Sequence, residues 1–144
     1  MRQLETRPDG VRPLHEQTRR NLLAAMQAES LKFATYVLYA EHARNTGNET
    51  LAALFESAAQ DDLYQHFAKQ AELIELVGSN AENLLAAQEC ERYEVKTVYG
   101  EYAAKAAAAG DTEAAELFES VRADERRHEK AFRQAMTEAA GLLV

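Results

Sequence analysis

NLLAAMQAES, residues 21–30, and NLLAAQECER, residues 83–92, open on the same five letters. A second literal pair, LFES, stands at 54–57 and again at 117–120. The first pair is offset by 62 positions and the second by 63, which reads as one residue inserted at the turn between helices. Simple alanine bias can give NLLAA twice. It does not easily give LFES twice, in the same order and at a consistent offset. The chain is therefore read as a duplicated unit.

Working outward, each unit reads as a helical hairpin. Helical periodicity runs over 15–45, and Thr46-Gly47-Asn48 breaks it. A second helix is expected over 49–77, with Gly78 as its stop and Ser79-Asn80 as the next cap. A third is expected over 81–109, Gly110-Asp111-Thr112 forms a turn and N-cap, and a fourth runs to about residue 139. Residues 1–13 are polar, hold Pro-Asp-Gly at 8–10, and read as an arm; residues 14–144 read as one domain. Long Ala/Glu/Leu-rich runs, six glycines and two prolines in 144 residues point to an all-α fold, a long four-helix bundle of two repeated hairpins.

Composition narrows the function classes. At 144 residues the chain is long enough to bury a core without staples. A net charge of −8 speaks against nucleic acid as partner, because phosphate binding needs clustered Lys and Arg. The single cysteine, Cys90, excludes an intrachain disulfide and any Cys-pair metal site. The first residues lack the apolar core of a secretory signal, and no apolar run approaches the roughly 18 residues of a membrane span. A cytoplasmic location with no membrane partner is the resulting expectation.

The repeat also shows which polar residues correspond. Glu29 matches Glu91, Lys32 matches Glu94, Asp62 matches Glu125 and Gln65 matches His128. Counting along the helices from Gly47 and Gly110 returns Glu29 to the level of Asp62, and Glu91 to that of Glu125. Carboxylates gathered at one level of a bundle need cations or protons to offset them. Two divalent cations held by carboxylate and imidazole do so. A Glu from each of two helices and Glu-x-x-His from the other two is the di-iron carboxylate pattern. Here Glu125-x-x-His128 is intact, and its counterpart reads Asp62-x-x-Gln65. By itself, Glu-x-x-His on a charged helix is more often a solvated face than a ligand pair. The joint spacing across the repeat favours metal.

With these motifs in view, the chain resembles the rubrerythrins of the ferritin-like superfamily over residues 20–138. The resemblance lies in Glu91-Arg92-Tyr93-Glu94, in Glu125-x-x-His128, and in Tyr36 and Tyr99 about two turns after the first- and third-helix ligands. It implies metal ligation by Glu29, Asp62, Glu91, Glu94, Glu125 and His128, and hydrogen bonds from Tyr36 and Tyr99 to ligand carboxylates in a catalytic role. It implies iron, as a di-iron site, with Mn or Zn as alternatives, and a reaction with peroxide or dioxygen. It covers the erythrin domain without the rubredoxin-like domain, so an enzyme of this kind draws electrons from a separate donor protein. The alternative is a non-enzymatic helical dimer with a degenerate site holding one metal or none.

Three positions depart from the family pattern. Gln65 stands where the family has His, Asp62 is one methylene shorter than Glu, and Lys32 lies one turn after Glu29. His66 lies about 100° further round the helix and is expected to point away unless a π-bulge intervenes. The expected site is one strong position, formed mainly by Glu91, Glu94, Glu125 and His128, beside a weak or empty one. Cys90 reads as a packing residue. The ferritin-like topology needs a crossover between the second and third helices that residues 78–80 are too short to make. Either the third helix starts late, near Gln88, or the second hairpin packs on a partner chain. The favoured expectation is a domain-swapped homodimer, with 15–77 of one chain on 81–140 of the other.

Overall fold

The structure is a computed structural model. It describes residues 14–141, and side chains through residue 138. The arm at 1–13 lies outside the described residues. Every described element is helical. In order they are α1 (Glu16–Asn45), α2 (Glu49–Asp61), a π-helical turn π1 (Asp62–Phe67), α3 (Ala68–Leu73), α4 (Asn80–Tyr93), a second turn π2 (Glu94–Val98), α5 (Tyr99–Ala109) and α6 (Thr112–Gly141). The all-α expectation and the two hairpins are both present. One compact unit ends at Val77 and the other begins at Gly78.

In the first hairpin α1 packs against the continuous rod α2-π1-α3. Gly47 makes the turn with φ +79°, the left-handed conformation a residue with a side chain rarely takes. Asn48 then caps α2, its Oδ1 accepting from the Leu51 N–H at 3.1 Å. The buried positions between the helices are mostly small: Ala40, Ala43, Ala52 and Ala59. Near the far end Met26, Ala71 and Ile74 pack together with Leu14, Leu22 and Phe67.

The rod stops at Leu73, four residues short of the expected end. Glu75 takes φ +55°, and the Leu76 N–H bonds back to the Ala71 carbonyl at 3.0 Å, a Schellman-type ending without glycine. Gly78 is therefore not the stop. A Cβ there would lie 2.7 Å from the Glu82 carboxylate, so the glycine makes room for the cap of α4. Ser79 and Glu82 form that cap reciprocally, Ser79 Oγ accepting from the Glu82 N–H and Glu82 Oε2 from the Ser79 N–H.

In the second hairpin the rod α4-π2-α5 packs against α6. Gly110, at φ +87°, makes the equivalent turn. Tyr99 and Tyr102 lie 6.3 and 5.6 Å from the Phe118 ring. Tyr36 and Tyr39 lie 5.8 and 5.3 Å from Phe55 in the same way. All three residues of this trio are offset by 63 positions, as are the two turn glycines. Glu29 and Glu91 are offset by 62. The inserted residue thus lies between Glu91 and Tyr99, inside π2, and not at the inter-helix turn as the spacing suggested.

Candidate metal centre

A π-turn holds one residue more than an α-turn, because its hydrogen bonds run from i to i+5. Each hairpin has one, at the level of its carboxylates. In the second, π2 begins at Glu94, just after Glu91. In the first, π1 begins at Asp62. The extra residue in π1 moves His66 onto the face that an uninterrupted helix would give to Gln65. Asp62 and Glu125 are 63 positions apart, whereas His66 and His128 are 62 apart. His66 is therefore the counterpart of His128. Gln65 instead stays exposed and accepts from Lys69 Nζ at 2.7 Å.

The first half-site joins Glu29 and Lys32 of α1 to Asp62 and His66 of π1. Lys32 Nζ lies 2.7 Å from Glu29 Oε2 and 3.2 Å from Asp62 Oδ1. His66 Nδ1 lies 3.3 Å from each of the same two oxygens. The Asp62 side chain is 7% exposed, and its Oδ2 has no hydrogen-bond partner. Burial pushes the Asp62 carboxyl upward. The Lys32 ammonium, by hydrogen bond and charge, outweighs this with help from Glu29 and His66, and the group sits below the usual range. Hydrogen bonds to Glu29 and then Asp62 in turn hold the Lys32 ammonium above its ordinary value.

The second half-site joins Glu91 at the end of α4 to Glu125 and His128 of α6. His128 Nδ1 lies 2.9 Å from Glu125 Oε2 and 3.7 Å from Glu91 Oε1. No ammonium or guanidinium lies among these three. The hydrogen bond between Glu91 and Glu125 raises the Glu91 carboxyl, burial and the Glu125 charge add to it, and the result is about 7. The same bond holds Glu125 below its usual range. The pair shares a proton. Glu91 Oε2 is buried without a partner. Glu94 heads π2, half-buried, and its charge reaches Glu91 without its joining the close group.

These are two candidate metal sets: Glu29, Asp62 and His66, and Glu91, Glu125 and His128. In each, one ligand atom per residue lies within 4.8 Å of the others. The donors are carboxylate oxygen and imidazole nitrogen, which suit iron, manganese or zinc. The second set fits a cation well, with an orphaned carboxylate oxygen and a proton that a cation can displace. In the first, an ammonium already sits between the carboxylates.

Of the residues singled out from the sequence, Glu29 and Asp62 come together in one hairpin, and Glu91, Glu125 and His128 in the other. His66 joins Glu29 and Asp62 in a candidate set that the repeat reading had left without it. Its signal was the one-residue change of offset between Asp62 and His66. Tyr36 and Tyr99 stack on Phe55 and Phe118, and among the described residues neither hydroxyl hydrogen-bonds a carboxylate. Burial and the carboxylates of Glu94, Glu125 and Glu91 push the Tyr99 hydroxyl up, so it stands near the second set. Cys90 is exposed and not packed as expected. Partial desolvation, then the charges of Glu94, Glu91 and Glu125, push its thiol up and keep it from thiolate chemistry.

No helix among the described residues is long and apolar enough to cross a membrane. The rubrerythrin family model matches residues 20–136. A rubrerythrin of Porphyromonas gingivalis (strain ATCC BAA-308 / W83) is 28% identical over 128 residues, which cover 80% of this chain and 64% of that protein. The chain thus spans a little under two-thirds of the length of the curated relative it matches. With the family match running through both hairpins and both carboxylate sets, this all-α, ferritin-like chain belongs to the rubrerythrin family.

Proposed function

We propose that this chain is an iron protein that reduces peroxide or dioxygen, with Glu91, Glu94, Glu125 and His128 as its stronger metal position. Glu29, Asp62 and His66 form the weaker position. The observation that carries the reading is the close group of Glu91, Glu125 and His128. It holds an unpartnered buried carboxylate oxygen, and Glu91 keeps its proton up to about pH 7. Bound iron would supply Lewis acidity and one-electron redox chemistry. Glu125 Oε2 and His128 Nδ1 lie 2.9 Å apart and present their donor atoms side by side. Glu91 gives up its proton as the cation arrives, which keeps the charge of the site nearly constant. The Tyr99 ring packs against Phe118 in the neighbouring turn of the hairpin. Tyr36 and Tyr99 stand as the candidate catalytic hydroxyls. The working form is a homodimer.

The non-enzymatic reading draws on Lys32, whose ammonium already neutralises one of the two carboxylate sets. One experiment separates the two. The protein is purified from iron-supplemented cells, its metal content per chain is measured, and its optical spectrum is followed through reduction and peroxide addition. One or two irons with a visible band that reduction bleaches and peroxide restores supports the enzyme. A redox-silent metal such as Zn²⁺, with no peroxide consumed, supports the structural protein. Absence of bound metal after loading with Fe²⁺, Mn²⁺ and Zn²⁺ would overturn both.

A further inference from the structure

The two hairpins meet the same physical problem in different ways. Each gathers carboxylates where little water reaches: the side chains of Glu29 and Asp62 are 16% and 7% exposed, those of Glu91 and Glu125 19% and 16%. Such a group needs a positive partner. In the second hairpin no ammonium or guanidinium lies among Glu91, Glu125 and His128, so the place of the positive partner is open. In the first that partner is Lys32, tethered through its own side chain to the helix that carries Glu29. Lys32 and Glu94 are offset by 62 positions, the same offset as Glu29 and Glu91. A cation thus replaces a carboxylate at the corresponding place.

We infer that Lys32 is a built-in cation that closes the first half-site, so that the chain binds one metal ion, in its second hairpin, and Glu29, Asp62 and His66 form a latent site. The inference rests on the metal-binding reading above for the second hairpin alone. The Nζ of Lys32 contacts Glu29 Oε2 at 2.7 Å and Asp62 Oδ1 at 3.2 Å. Those are the two oxygens that His66 Nδ1 also approaches, so the ammonium already engages both carboxylate donors of the set. A divalent ion placed there meets a positive charge at contact distance, and one oxygen of each carboxylate is already engaged. His66 keeps its position because π1 fixes it, whether or not an ion is bound. Removing the charge of Lys32 leaves a buried Asp62 carboxylate with Oδ2 unpartnered and Oδ1 facing His66 Nδ1, beside Glu29. A three-donor set of that kind takes Zn²⁺, Mn²⁺ or Fe²⁺.

The test is a count of bound Zn²⁺ per chain by elemental analysis, after loading and gel filtration, with helicity checked by circular dichroism. Wild-type protein is expected to hold one ion, Lys32→Arg one, and Lys32→Met and Lys32→Gln two. Lys32→Met/His66→Ala returns to one. His128→Ala is expected to hold none, and Lys32→Met/His128→Ala one. Two ions in the wild type, the second lost in His66→Ala, overturns the inference. So does a count that stays at one in both neutral variants when either is folded. No ion in the wild type but one in Lys32→Met removes the second-hairpin site and keeps the closure by Lys32. No ion in any variant removes both.

Discussion

Arg122 reaches from α6 to donate from Nε to the backbone carbonyl of Val95 at 2.8 Å, inside π2. A π-turn displaces carbonyls from their usual helical partners, and a charged donor from a neighbouring helix satisfies one here. Gly100 makes this possible, because a Cβ there would lie 3.0 Å from the guanidinium carbon. Arg122 therefore holds the turn that begins at Glu94. Arg122→Ala is expected to cost about 1.5–3 kcal/mol in urea unfolding, the range for a hydrogen bond with a charged donor. It should also weaken metal binding severalfold, since Glu94 loses its support. Gly100→Ala should act in the same direction. Unchanged stability and affinity in both would remove this role.

The shared proton of Glu91 and Glu125 sets a pH dependence for the metal-free protein. Folding raises Glu91 from its model-peptide value of 4.5 to about 7. Between those values the folded chain holds a proton that the unfolded chain has released. The contribution is fully present below about pH 4.5 and is lost as pH rises through about 7. Glu125 is shifted downward and acts with the opposite sign, below its unfolded value near 4.5, outside this window. The metal-free protein should therefore have a higher denaturation midpoint at pH 5.5 than at pH 8, and Glu91→Gln should flatten that difference. Zn²⁺ affinity should rise about tenfold per pH unit up to about 7 and then level. A midpoint that climbs with pH in the wild type would falsify the shared proton.

Much of the architecture is legible because caps and turns carry their own signals. Gly47 and Gly110 announce the hairpin turns by requiring positive φ, and Ser79 with Glu82 announces the start of α4. The end of the rod α2-π1-α3 is not legible, because Glu75 takes a backbone conformation that favours glycine, and Gly78 nearby offers a false stop. The carboxylates and His128 are legible from their spacing across the repeat. His66 is not, because periodicity assumes 3.6 residues per turn and π1 breaks that count. Only the offsets betray it, changing from 62 to 63 through π2 and back through π1.

That account of π1 can be tested by deletion. Removing Gln65 from DDLYQH takes out the extra residue and leaves Asp62-x-x-His, the spacing of Glu125-x-x-His128. The rod should then continue as regular α-helix, with Ala71 and Ile74 keeping their buried places. The deletion variant is expected to retain its helicity and to unfold within about 1 kcal/mol of wild type. Misplacing the buried cluster instead should cost several kcal/mol. Cooperative unfolding lost on deletion would mean that the π-turn is required by the packing and is not a tolerated insertion.

Association is the last expectation, and it follows from what each hairpin leaves uncovered. Leu31, Leu38 and Leu54 of the first hairpin are 68%, 63% and 64% exposed, and Leu117 of the second is 61% exposed. Leu54 and Leu117 open the two LFES repeats, so the duplication carried the same uncovered apolar position into both halves. Among the described residues no large side chain is fully buried. Apolar surface of this kind needs a partner surface. Sedimentation at micromolar concentration is expected to give a species of twice the 16.1 kDa chain mass. Leu54→Glu with Leu117→Glu should shift it toward monomer and lower its denaturation midpoint. A clean wild-type monomer that nonetheless unfolds cooperatively would show that one chain covers these leucines by itself.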